Sequence, residues 1–175
     1  MEAGVIDEQL LEAWDTHNAM FFMLFDAIEP EAFASKPVGM SGRSVGNIFA
    51  HVNNLRLEWI KVSAPSLAEG LTKIPTKTKA EREAITKEQL RPALESSAAG
   101  LRAMVEDALP KGKLKGQRTP LATMFSYFIA HEWYHIGEIG MTLNLAGHKL
   151  DDATAWGIWA WGRWTPGGAA KVSEE

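Results

Sequence analysis

The sequence contains no cysteine. Disulfide bonds, thiolate zinc sites and a cysteine nucleophile of the chain's own are therefore excluded. It also has no excess of positive charge, since the formal net charge is −4 at pH 7, and we expect no nucleic-acid partner. The hydrophobic fraction of 46% and the charged fraction of 23% are those of an ordinary soluble globular protein.

The sequence also lacks a clear targeting or membrane segment. The N-terminus, MEAGVIDEQLLEAWD, is acidic and has no basic stretch followed by an apolar one, so it does not resemble a signal peptide. The longest apolar region, around residues 120–145, is interrupted by His131, Glu132, His135 and Glu138, which argues against a membrane span. We therefore expect a cytoplasmic protein without a membrane partner.

Apolar residues recur at helical spacing, whereas the alternating runs typical of strands are scarce. The pattern predicts four helices: about residues 7–28, from Ser44 to about residue 63, from Thr86 to about residue 108, and about residues 119–146. Residues 64–85 contain prolines, a glycine and several lysines and are predicted to cross the end of a bundle. Four such helices with one long connection predict an all-α four-helix bundle, in a single domain over residues 1–175.

Residues at the predicted helix ends support these ranges. Thr86 followed by Gln89 resembles a capping box. In Thr119-Pro120, Thr is expected to cap the last helix and Pro to take its first position. Gly147 is predicted to end that helix.

Three histidines fall on the predicted inward faces of two helices. His131 and His135 are four residues apart and share an otherwise apolar face of the last helix. His51 lies on the apolar stripe of the second helix. Buried imidazoles need hydrogen-bond partners or a metal, and their neutral nitrogens suit zinc, nickel, iron or copper. Three protein ligands with one open position are typical of a catalytic site, and we predict that these histidines bind a divalent metal ion.

The other histidines and the C-terminal tryptophans have simpler interpretations. His17, on the stripe of the first helix, is interpreted as a hydrogen-bonded core residue, with a role as a further ligand the minority case. His148 is expected to be exposed or to cap the last helix. The tryptophan-rich C-terminal segment is predicted to cover the end of the bundle, with a dimer contact as its alternative role; its members are Trp156, Trp159, Trp161 and Trp164.

Residues 131–135 read His-Glu-Trp-Tyr-His, which is the H-E-x-x-H pattern of zinc metalloproteases. In those enzymes the glutamate is the general base and a third ligand lies downstream. Here the position six residues after the second histidine is Met141, and after Glu138 only the two terminal glutamates remain. A protease is therefore our third choice. Glu132 is predicted to be a catalytic proton acceptor near the metal, or a partner of the metal ligands.

The stretches NIFAHVNNLRLEW and HEWYHIGEIGMTLNLAGH, in this order, resemble the DinB/YfiT-like family over nearly the whole chain up to about residue 150. The resemblance implies an up-up-down-down four-helix bundle, often dimeric. It also implies that His51, His131 and His135 bind a divalent metal, commonly zinc or nickel. Characterised relatives include metal-dependent transferases of low-molecular-weight thiols, such as bacillithiol S-transferases, and a mycothiol-dependent maleylpyruvate isomerase. The tryptophan-rich C-terminal segment is not part of this pattern.

Two functional hypotheses follow. In the first, the metal lowers the pKa of a bound thiol or water, and the protein is an S-transferase or a hydrolase of a small molecule. Any such thiol is a cofactor, because the chain has no cysteine. Asn47, Asn54 and Tyr134 join Glu132 as candidates for orienting or proton transfer. In the alternative, the protein is a non-catalytic module that binds a metal or small molecule, or forms a dimer. The predicted inner face shows no obvious cationic cluster for an acidic thiol, although Arg56 follows His51 closely.

Overall fold

The computed structural model describes residues 3–37 and 42–161 of the chain, and all regular structure in these residues is helical. The long helices are α1 (Ala3–Ala27), α2 (Val45–Ser63), α4 (Lys87–Ala108) and α5 (Leu121–Leu145). The short ones are α3 (Lys79–Glu83) and α6 (Asp152–Gly157), with 3-10 segments at Pro30–Ala34, Pro65–Ala68 and Leu109–Lys111. The prediction of an all-α bundle with four long helices is confirmed. None of the described helices is both long and apolar enough to cross a membrane.

Two of the predicted helix starts are formed by capping side chains. Ser44 accepts a hydrogen bond from the backbone N–H of Asn47, and Thr86 accepts one from the backbone N–H of Gln89. Each bond satisfies one of the N–H groups that the first turn of a helix leaves without a partner. The start of α2 matters for function, because it sets where His51 lies along the bundle.

Helix α5 begins one residue later than predicted. Its N-cap is Pro120 rather than Thr119, and no side chain caps it. Its end agrees with the prediction: Gly147 adopts the left-handed conformation, with a φ of 85°. The backbone N–H of His148 then donates to the carbonyl of Leu143 at 2.9 Å. This is the hydrogen bond of a Schellman motif.

Contacts between side chains establish the directions of the helices. The guanidinium of Arg56 lies 5.3 Å from the ring centroid of Trp14, and the rings of Phe25 and Phe49 lie 5.0 Å apart. Positions therefore rise along α1 as they fall along α2, so the two helices are antiparallel. Helix α5 is also antiparallel to α2, as two further contacts show: Trp59 with Phe128, and His51 with His135.

Helix α4, in contrast, runs parallel to α2. Arg56 donates to the carbonyl of Leu94 at 3.2 Å, and a Cβ added at Gly100 would lie 3.1 Å from the side chain of Ile60. The four long helices thus follow an up-down-down-up order. This corrects the up-up-down-down order that the family resemblance implies, while the bundle itself stands.

The connection between α2 and α4 returns along the length of α2 instead of crossing the end of the bundle. Asn53 donates to the carbonyl of Thr72 at 2.9 Å. Asn54 donates to the carbonyl of Ile74 at 2.8 Å and accepts from its N–H at 2.9 Å. The side chain of Ile74 is fully buried. Because α2 and α4 are neighbours that run in the same direction, the chain must return along α2 before α4 can begin.

The core consists of two apolar clusters with a polar network between them. One cluster centres on the phenylalanines of α1 and α2, and the other on Trp14 and the apolar faces of α4 and α5. The guanidinium of Arg56 lies 5.3 Å from the Trp14 ring and 4.9 Å from the Phe21 ring, so it contacts both clusters. Its partners are Glu132 and the carbonyl of Leu94.

The described part of the tryptophan-rich C-terminal segment packs along α5. Trp159 stacks on Trp133, with ring centroids 4.8 Å apart, and Trp161 lies 5.9 Å from Trp133. Trp156 of α6 is exposed. Trp164 lies outside the residues that the structure describes.

Candidate metal centre

The structure brings His51 of α2 together with His131 and His135 of α5. The ring centroids lie 5.4 Å apart for His51 and His131, and 4.9 Å apart for His51 and His135. One ring nitrogen from each histidine lies within 4.8 Å of the other two. His51 of α2 therefore faces two residues that lie one helical turn apart on α5.

The hydrogen bond to Glu138 determines the tautomer of His135. Nδ1 of His135 lies 2.8 Å from Oε2 of Glu138. A carboxylate accepts a hydrogen bond, so a neutral His135 ring carries its proton on Nδ1 and presents the lone pair of Nε2. Metal-binding histidines generally have a partner of this kind, which orients the ring and increases its basicity.

The spacing of His131 and His135 fits a metal ion. Their Nε2 atoms lie 3.2 Å apart. Two lone pairs at this distance repel each other unless a proton or a cation lies between them. Metal–nitrogen bonds of about 2.05 Å in a tetrahedron would place neighbouring nitrogens about 3.3 Å apart. The donor set, three imidazoles and no thiolate, suits a borderline divalent ion such as zinc or nickel.

Two of the three histidines, His51 and His131, are held in the neutral form that a metal requires. The pKa of His51 is lowered to about 4, first because burial disfavours the imidazolium and then because Arg43, His135 and His131 are near. Burial also lowers the pKa of His131, aided by the nearby charges of His135 and Arg43. At neutral pH these rings therefore carry lone pairs available to a cation.

Comparison with protein families assigns the chain. A model of the DinB family matches residues 1–159. The protein belongs to the DinB family. No curated protein and no solved structure matches the chain. The family match confirms the resemblance drawn from the sequence, and it covers all three histidines.

In this DinB chain, Glu132 lies in the core and is 2% exposed. Its carboxylate accepts from Arg56 Nε at 2.7 Å and from Arg56 Nη2 at 2.5 Å, and it lies 2.8 Å from Nε2 of His17. Burial alone would raise the pKa of Glu132, but the charge and hydrogen bonds of Arg56, with those of His17, lower it to about 2. Such a carboxylate is a poor proton acceptor at neutral pH. These contacts support a structural role for Glu132 in place of the predicted catalytic one, and they argue against a metalloprotease.

The remaining histidines lie where the sequence predicted. His17 is fully buried and bonded to Glu132. It does not belong to the metal-binding group, so it does not supply the fourth ligand of a closed site. His148 is exposed, and its backbone N–H caps the end of α5.

Two of the three residues proposed for orienting a substrate, Asn47 and Asn54, have other hydrogen-bond partners. Asn54 uses its amide on the connection that follows α2. Asn47 donates to Ser44 Oγ at 2.6 Å and so supports the start of α2. Tyr134 is 70% exposed, and its ring centroid lies 5.2 Å from that of His135. Of the three, only Tyr134 contacts a metal-binding histidine through its ring.

Three residues near the site were not among the predicted ones. Glu138 could have been found from its spacing, because a residue three positions after His135 shares its helix face. The ring of Tyr127 lies 5.9 Å from that of His131. Tyr127 precedes His131 by one helical turn, so its spacing also indicated this position. Arg43 acts on the site from the loop before α2, and no helical periodicity indicates where a loop residue lies.

A cleft of about 1000 Å³ opens beside the metal centre. It lies between the start of α2, helix α3 and the 3-10 segment Pro30–Ala34, and Glu138 reaches it from α5. Its charged lining residues are Lys36, Arg43, Lys79, Arg82, Glu83 and Glu138. The sequence shows no cationic cluster on the inner faces of the long helices. In the structure, the segments between the long helices supply the cationic residues of the cleft.

Proposed function

We propose that this DinB protein is a divalent-metal-dependent enzyme that acts on a small-molecule substrate, as a thiol S-transferase or a hydrolase. The observation that carries the proposal is the 3.2 Å separation of the Nε2 atoms of His131 and His135, with Glu138 holding the second ring. With His51, these residues make a three-histidine ligand set. Such a set leaves a coordination position for a substrate, cofactor or water.

A zinc or nickel ion held by these residues would lower the pKa of a thiol or water bound to it. Because the chain has no cysteine, a thiol nucleophile would be a low-molecular-weight cofactor. The chain's own residues support this chemistry in two ways. Glu138 fixes the orientation of the His135 ring, and the adjacent cleft of about 1000 Å³ is large enough for a small molecule.

The first experiment is a measurement of metal per chain by mass spectrometry on untagged protein purified without added metal. We expect about one equivalent in the wild type and in His148→Ala, and little in His51→Ala and His135→Ala. His148 is an exposed histidine outside the site, so it controls for surface binding. No metal in the wild type after reconstitution would refute the site.

A second experiment separates an enzyme from a non-catalytic metal protein. Metal-free and reconstituted protein are compared for two reactions. One is the substitution of an activated aryl halide by 2-mercaptoethanol, which forms an aryl thioether and releases halide and a proton, and the other is ester hydrolysis. The proposal expects metal-dependent turnover, with only a modest fall of the melting temperature on chelation. A large fall of the melting temperature without turnover favours a closed structural metal site instead.

We also propose that the protein forms a homodimer through the exposed apolar face of α5 and α6. Tyr134, Met141 and Leu145 are 70%, 68% and 61% exposed and lie at spacings of seven and four residues, so they form one stripe. Trp159 lines a shallow pocket together with Met141, and both Trp159 and Trp156 are exposed. A contiguous apolar patch of this kind is typical of a protein-interaction surface.

Light scattering after size-exclusion chromatography tests the dimer. Met141→Glu combined with Leu145→Glu should convert a dimer to a monomer. Val62→Glu, at an exposed apolar position on α2, is the matched control and should leave the dimer intact. A monomeric wild type at high concentration would contradict the proposal.

A further inference from the structure

We propose that the cleft beside the metal centre binds a small organic anion, with Arg43 holding a carboxylate of that ligand next to the metal position. This inference rests on the proposed metal-dependent function and names the charge of the molecule that the site selects. Arg43 would be a specificity-determining residue, because it acts on the ligand and not on the metal.

The first observation that supports this inference is the charge of the cleft. Its lining contains four cationic side chains and two carboxylates, although the protein as a whole has a net charge of −4. Both carboxylates have partners: Glu138 bonds to His135, and Glu83 lies 3.7 Å from Lys79. Among the described residues, Lys36 and Arg43 form no ion pair. A concave surface with unpaired cations attracts and concentrates anions.

The second observation is the position of Arg43. Arg43 lines the cleft together with Glu138, and the carboxylate of Glu138 lies 2.8 Å from Nδ1 of the metal-binding residue His135. Arg43 directly precedes Ser44, the N-cap of α2, where the partial positive charge of the helix N-terminus adds to its own. A guanidinium presents two parallel N–H donors that match a carboxylate.

The third observation is the arrangement of the other cationic residues around the cleft. Lys79 and Arg82 lie on α3, and α3 is held to α2 by Asn47, whose amide donates to the carbonyl of Arg82 at 3.1 Å. Arg82 in turn donates to the carbonyls of Thr76 and Lys77. These cations are therefore anchored on one side of a cleft of about 1000 Å³. A ligand that reaches the metal position can extend a second polar group toward them.

The test compares two thiols of similar size that differ in charge. The affinities of 3-mercaptopropionate and 2-mercaptoethanol for zinc-reconstituted protein are measured by calorimetry at low ionic strength. We expect the wild type to bind the anionic thiol about tenfold more tightly, the scale of one charge-assisted hydrogen bond. Arg43→Gln should lose most of this preference, and Arg43→Lys should keep part of it. Arg118→Gln, which removes the same charge at an exposed position outside the cleft, should keep all of it.

Several results would overturn the inference, and they are distinguishable from failure of the proposed function. Equal binding of both thiols by the wild type refutes the anion site but leaves the metal–thiol chemistry standing. An equal loss in Arg43→Gln and Arg118→Gln refutes a local role for Arg43. If neither thiol binds, the thiol function fails, and the cleft is then tested with citrate on metal-free protein. Citrate binding that depends on Arg43 supports the anion site, and its absence refutes it.

Discussion

Arg56 and Glu132 form a bidentate ion pair in the core, with side chains only 2% and 3% exposed. Arg56 lies on α2 five residues after His51, and Glu132 lies on α5 between His131 and His135. The pair therefore joins the two helices of the metal centre at the level of the site itself. Burying both charges carries a large desolvation cost, which the forked geometry and the added contact with His17 offset.

Removing one charge of this pair should destabilise the protein severely. We expect Glu132→Gln to lower the free energy of unfolding by about 3–5 kcal/mol, because it leaves the Arg56 guanidinium buried without a counter-charge. The measurement is urea-induced unfolding of the metal-free protein. The double variant Arg56→Met, Glu132→Leu should recover much of the loss. A Glu132→Gln protein of wild-type stability that lacks activity would instead support the catalytic role.

The metal-free protein should lose stability as the pH falls from about 6.5 toward 4. The pKa of His51 is lowered from 6.5 to about 4 in the folded state. The unfolded chain therefore takes up a proton there that the folded chain resists, and stability is complete above pH 6.5 and falls below it. The check is the urea midpoint at pH 7.5, 6 and 5. His51→Gln should show a shallower fall over this range, and an identical fall would exclude His51 as the cause. Glu132, whose pKa is lowered to about 2, contributes a separate loss below pH 4.5.

Glu138 should strengthen metal binding without supporting the fold. Its side chain is 26% exposed, and its contact with His135 is a single hydrogen bond. We expect Glu138→Gln to weaken metal affinity by roughly 10–100-fold, measured by competition with a chromophoric chelator. The melting temperature of the metal-free variant should stay close to that of the wild type. Glu58→Gln, an exposed carboxylate on α2 paired with Lys73, is the control, and an equal effect in both variants would rule out a local role.

Gly147, at the end of α5, should contribute to stability only through its left-handed backbone conformation. Gly147 has a φ of 85°, and a Cβ there would meet nothing within 4 Å. We expect Gly147→Ala to cost about 1–2 kcal/mol of stability, the penalty of a left-handed residue with a side chain. Gly140→Ala, inside α5 and equally free of neighbours, should stabilise the protein by up to about 1 kcal/mol. Denaturant unfolding at low protein concentration compares them. Equal stability of Gly147→Ala and wild type would contradict the expectation.

The histidine site could be predicted because each of its parts depends on local spacing. His131 and His135 share a face at one turn's separation, and the apolar stripe of α2 places His51 inward. Glu138 was accessible to the same reasoning. The role of Glu132 could not be predicted in this way, because its carboxylate bonds to Arg56, a residue 76 positions away in the sequence.

The sequence alone determined the four long helices, most of their ends, the absence of a cysteine thiol in the chain and the three inward-facing histidines. These follow from composition, from hydrophobic period and from capping residues, all of which act within a few residues of each other. Only the tertiary structure decided the up-down-down-up order, the ion pair of Arg56 and Glu132, and the cationic cleft around Arg43. Those depend on how a long connection packs back along α2 and on which distant side chains then meet, and neither is encoded in a local pattern.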